Sequence, residues 1–282
     1  LRGGNGCAAA GRRQRLRRAG LPACGGGAAA RRRARPGLAV PYRTSRCAAV
    51  LLLSQSVMAD RLPEQLAPSE IRYHSGGAIE EIFNSLTHAM GAGLAIAGLV
   101  ALLIITGEDP SPWKYIGFSI YGATQIMLYL SSALMHSFAA LPRVRYYLRI
   151  VDQAFIYLLI AGTYTPVTLI AIRGAWGWTI FGIVWALATA GILLKTLVFR
   201  EPHVATDLLY IPMGWLIVVA ARPLMQVVPV SFVVWALAGG LAYTVGVAFY
   251  AWQRLPFNHT IWHFFVLAGS ICFYVAFTMH LA

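Results

Sequence analysis

The stretch Phe257-Asn258-His259-Thr260-Ile261-Trp262-His263 opens the last apolar run of the chain. Two histidines stand four residues apart. On a helix that spacing places them on one face, one turn from each other. Residues 264–277 are almost wholly apolar, long enough to carry the helix into a bilayer. A histidine inside a membrane span is costly to leave unpaired, so it marks a site. Two on one face have metal-ligand spacing.

Working outward, the composition agrees. Of 282 residues, 58% are hydrophobic and 12% charged, where soluble domains run at about 45–50% and about 25%. The expected class is an all-α, polytopic membrane protein. The formal charge of +13 belongs to the first 57 residues, which hold twelve arginines and no acid. Beyond them, eleven Lys and Arg face ten Asp and Glu, so no nucleic-acid partner is expected of the membrane domain. Cys7, Cys24 and Cys47 lie in the same basic segment, and Cys272 lies in the apolar body. No disulfide framework is implied.

Residues 1–57 are rich in Arg, Ala and Gly without helical or strand period, and are expected to be disordered. The preferred reading takes them as translated upstream sequence, with the working chain starting at Met58. A basic arm for anionic lipid or nucleic acid, and a targeting peptide, are its rivals. Residues 58–84 read as a cytoplasmic leader and 85–282 as the membrane domain.

Apolar runs of about 20 residues mark membrane helices. Seven are expected, at 86–105, 113–137, 148–172, 178–199, 207–221, 230–252 and 259–281. Pro166 should kink the third, and the fifth is short and contains Pro212. Eight Lys and Arg fall on the side of the leader (Arg61, Arg72, Arg143, Arg145, Arg149, Lys195, Arg200, Arg254), three on the other (Lys114, Arg173, Arg222). That bias puts the leader in the cytoplasm and Ala282 outside.

The orientation gathers polar residues into one layer near the cytoplasmic face. Span two ends with Ser132 and His136, four apart. Span three begins with Asp152, the one acid well inside an apolar run. Span seven begins with His259 and His263, and span one with His88, preceded by Glu81 and Asn84. His136, His259 and His263 can supply a three-histidine zinc shell, with a water in the fourth position. Asp152 would deprotonate that water, and Ser132 would bond the water or a developing oxyanion. Each residue also has a plainer account. A lone intramembrane His often bridges two helices, Asp152 can pair with Arg149 or Arg145, and a serine can bond its own backbone. Asp207, four after His203, reads as a helix N-cap rather than a second metal site. Gly91, Gly93 and Gly98 suggest close helix packing, and the Tyr and Trp residues of span six read as lipid-facing or core.

The motifs Glu81-x-x-Asn84-x-x-Thr87-His88, Ser132-x-x-x-His136, Asp152, Ala161-Gly162-Thr163-Tyr164-Thr165-Pro166 and His259-x-x-x-His263 together resemble the hemolysin III branch of the progestin and adipoQ receptor family. The resemblance covers about residues 78–282. It implies seven spans with a cytoplasmic N-terminus and zinc on His136, His259 and His263. It relates Ser132 and Asp152 to positions shared with alkaline ceramidases, and so implies hydrolysis of a lipid amide. The bacterial branch is named for haemolytic activity and linked to membrane homeostasis, which implies a location in the cell membrane. Three functions follow as expectations: a zinc-dependent lipid hydrolase, a sensor or regulator of membrane state with structural zinc, and a cytolytic pore. Membrane lipids are the expected partners.

Overall fold

The computed structural model describes residues 77–199, 206–207 and 209–282. The basic segment 1–57, most of the expected leader, His74 and His203 lie outside the described residues. Among the described residues there is no strand. The helices are α1 (Ala78–Thr106), α2 (Pro112–Ser137), α3 (Pro142–Pro166), α4 (Ala175–Leu193), α5 (Tyr210–Gly214), α6 (Ala221–Met225), α7 (Val230–Ala251) and α8 (Asn258–His280).

Each of the seven expected spans falls on a helical segment, and five of these are long and apolar enough to cross a membrane. The segment of α2 is outside that count. It is 26 residues long, but its buried side carries Thr124, Gln125, Ser131, Ser132 and His136. The fifth segment is outside it because Tyr210–Met225 is too short; it runs as α5, a 3-10 stretch over Leu216–Ala220, then α6. A broken backbone inside a membrane must find other hydrogen bonds. Tyr164 provides them, donating its hydroxyl to the Gly214 carbonyl (2.7 Å) and accepting from the Ile217 amide (2.9 Å).

Pro166 ends α3, and a π-helical turn over Val167–Ala171 continues the segment. Proline removes an amide donor and disturbs the preceding carbonyls, and a wider turn is one way to absorb that. α1 starts at Ala78, eight residues before the expected span, so Glu81 and Asn84 belong to the helix and not to a leader.

Large apolar side chains such as Leu94, Ile104, Val230 and Val234 are exposed on the outside, as lipid contact demands. The interior is packed by aromatic rings. Phe118, Tyr121, Tyr157, Phe232 and Phe277 form one core, and Ala92, Leu128, Tyr129, Val266 and Leu267 a second. Gly91 lets α1 close on α2 and α8, since a Cβ there would stand 2.8 Å from the Tyr129 ring and 2.9 Å from Leu267. Gly98 meets the Tyr274 ring in the same way, but Gly93 faces open space, so only two of the three expected packing glycines pack.

Leu209, not Asp207, is the N-cap residue of α5, so Asp207 has another role. Its carboxylate pairs with the ammonium of Lys195, which is fully buried and also reaches the Tyr210 hydroxyl at 3.2 Å. The Tyr210 hydroxyl in turn donates to the Gln153 carbonyl at 3.0 Å. This chain of bonds joins the end of the fourth segment to the start of the fifth and to α3.

Candidate metal centre

α2 is amphipathic toward the interior. Ser132 and His136 lie one turn apart on its buried side, 2% and 3% exposed. α8 starts after Phe257, a bulky residue with φ 57° in the left-handed region, where a side chain of that kind is an outlier. That sharp entry sets the first turn of α8, and with it His259 and His263, against α2. His263 is buried and His259 half-buried.

The three rings converge. The Nε2 atoms of His136 and His259 are 3.1 Å apart. Ring centroids are 4.9 Å apart for His136 and His259, 5.1 Å for His136 and His263, and 4.7 Å for His259 and His263. One ligand nitrogen from each lies within 4.8 Å of the other two, so the cluster could hold a metal ion.

The bonds behind the rings fit that use. The Glu81 carboxylate takes His136 Nδ1 at 2.7 Å and the Arg145 guanidinium at 2.5 Å. A carboxylate held by a guanidinium accepts only, so His136 Nδ1 carries the hydrogen and its Nε2 presents a lone pair. His263 Nδ1 lies 3.2 Å from the Asn84 carbonyl and 3.1 Å from the Thr87 hydroxyl. A carbonyl can only accept, so here too Nδ1 is the donor and Nε2 is left for a ligand role.

His88 is a fourth ring at the same place. It stacks on His263 with centroids 3.5 Å apart and planes 11° apart, and meets Tyr129 edge-on at 5.1 Å. It is 3% exposed, and among the described residues neither of its nitrogens has a hydrogen-bond partner.

Asp152, on α3, is buried, with Ser132 and Ser131 and the charges of Arg149 and Lys195 nearby. Ser131 also donates to the Leu128 carbonyl at 2.9 Å. His88, Ser132, His136, Asp152, His259 and His263 all line one cavity of about 510 Å³. Ordinary ligand pockets span roughly 300–1,000 Å³. Leu128, Ile156, Val266, Trp215 and Phe273 give part of its wall an apolar lining.

Two features escaped the sequence reading. Tyr243 and Tyr250 of α7 line the cavity, and Tyr243 also packs against the second core, as its reading as a core residue expected. The polar residues of α1 act from behind the rings, through Glu81, Asn84 and Thr87. Their spacing on one helix face was the available signal.

Comparison with known proteins gives a family and, among its matches, three relatives. The family model described as "Haemolysin-III related" matches residues 77–274. The chain is 46% identical over 191 residues to "Hemolysin-3" of Bacillus cereus, covering 68% of this chain and 87% of that protein. It is 41% identical to "Hemolysin-3 homolog" of Bacillus subtilis, over 68% and 89%. At 26% identity it also matches the human "Monocyte to macrophage differentiation factor", over 77% of this chain and 90% of that one.

Proposed function

The chain belongs to the haemolysin-III related family of membrane proteins, and from that premise we propose that it is a zinc-dependent hydrolase of a lipid amide or ester. The observation that carries the reading is the convergence of three imidazoles with Asp152 and Ser132 on one cavity. Three nitrogen donors from histidine suit zinc with one position left open. When bound, zinc lowers the pKa of a coordinated water to about 7 and polarises a carbonyl.

The chain's own residues do the rest. His136, His259 and His263 hold the ion. The Asp152 carboxylate takes a proton from the attacking water and returns it to the leaving amine or alkoxide. Ser132 steadies that carboxylate and donates to the oxyanion as it develops. The apolar part of the cavity accepts the lipid's hydrocarbon portion and excludes bulk water from the reacting carbonyl. All seven segments cross the bilayer in this reading, with the metal centre toward the cytoplasmic leaflet, as the distribution of Lys and Arg suggests.

The test is elemental analysis of the detergent-purified chain beside His259→Ala and Asp152→Ala, followed by hydrolysis of a panel of lipid amides and esters. The expected result is about one zinc per chain, lost in His259→Ala and kept in Asp152→Ala, with turnover reduced at least about 10²-fold by the latter. A wild type without metal would sink the zinc reading. Stoichiometric zinc with no turnover across the panel would favour a regulator of membrane state whose metal clamps α2 to α8.

A further inference from the structure

We propose that α1, which contributes no ligand, is the outer coordination shell of the metal centre, with Glu81 as its principal positioning residue. The inference rests on the metal reading above and goes further, giving the Glu81-x-x-Asn84-x-x-Thr87 motif a chemical role.

Residues three apart on a helix share a face, and this face of α1 meets the backs of two imidazoles. Glu81 Oε2 bonds His136 Nδ1. The Asn84 carbonyl and the Thr87 hydroxyl bond His263 Nδ1. Thr87 Oγ1 is itself oriented, since it donates to the Phe83 or Asn84 carbonyl (2.8 and 3.0 Å) and so turns a lone pair to the ring. The Asn84 side chain accepts from Thr260, the neighbour of His259, at 2.5 Å. One helix therefore sets the proton position on two ligands and anchors the turn that bears the third.

Partners behind a ligating histidine fix its tautomer and ring plane and raise its basicity. Glu81 is suited to this because Arg145 holds its second oxygen, keeping it an anion while leaving Oε2 for His136. A glutamine in its place presents an amide of either polarity, and an aspartate keeps the charge but falls one methylene short of the ring.

The experiment measures zinc affinity by competition with a chromophoric chelator for the purified full chain, Glu81→Gln and Glu81→Asp. Unfolding of each metal-stripped protein is followed alongside. Both variants are expected to bind zinc about 10–100-fold more weakly, and the cobalt-substituted proteins to shift their visible absorption. If Glu81 served only to neutralise Arg145, Glu81→Asp would bind zinc as the wild type does, and that result overturns the proposal. Should Glu81→Gln fail to fold, Glu81→Asp alone decides. A wild type that binds no zinc removes the metal reading and this inference with it. A wild type that binds zinc beside unaffected variants removes this inference alone.

Discussion

His136 on α2 and His259 on α8 face each other through their Nε2 atoms at 3.1 Å. With metal–nitrogen bonds of about 2.0–2.1 Å, two ligands on a tetrahedral zinc stand about 3.3 Å apart. The His136–His259 separation is therefore close to the edge that such a tetrahedron would need.

His136→Ala and His259→Ala should both abolish metal binding but differ in stability once metal is stripped. Removing the His136 ring leaves the buried Oε2 of Glu81 without its partner, a cost of about 1–3 kcal/mol. His259 is half-buried, and its loss costs less. Thermal unfolding in detergent with excess chelator ranks the two, and equal midpoints would contradict the role given to Glu81.

Lys195 and Asp207 give an asymmetric pair of mutants. The Lys195 side chain is 1% exposed and that of Asp207 23%. Asp207→Leu strands a cation in a dry place and should cost about 3–5 kcal/mol. Lys195→Met leaves an acid that can still reach water and should cost less. The double substitution should recover most of the loss, because an apolar pair of similar size needs no desolvation. Chemical denaturation of the three variants checks the order.

Tyr164→Phe should cost about 1–3 kcal/mol, concentrated in the fifth segment. Its hydroxyl serves a carbonyl and an amide on either side of the break between α5 and α6. Hydrogen exchange should rise over Tyr210–Met225 and leave α8 unchanged.

His88→Phe should retain metal and gain stability while losing lipid turnover by at least about tenfold. The ring's stacking on His263 is preserved, and two buried nitrogens without partners are removed. Exchanging unpaired polar groups for apolar ones of like shape is neutral or stabilising. Keeping them despite that cost is the pattern of a functional group. Turnover unchanged beside raised stability would mark His88 as packing.

The clustering of His136, His259 and His263 was legible because histidines stand out against apolar spans, and the four-residue spacing of His259 and His263 is local. Their shared depth followed from orienting the spans by charge. The break in the fifth segment was visible through Pro212. The work of Glu81, Asn84 and Thr87 was legible only as a spacing on one helix face, since which rings they meet depends on the register of α1 against α2 and α8. That Tyr243 and Tyr250 also line the cavity was hidden for a related reason. Hydropathy cannot distinguish an aromatic facing lipid from one facing an internal cavity when the helix around it is apolar on all sides.

α1 has lipid on one flank, through Leu86, Leu94 and Ile104, and imidazoles on the other. It is thus a lever whose long arm lies in the bilayer. Helices answer a change in hydrocarbon thickness by tilting. A tilt of α1 would move Glu81 and Thr87 against rings carried on α2 and α8, so the seating of this one helix bears on the bonds behind both rings.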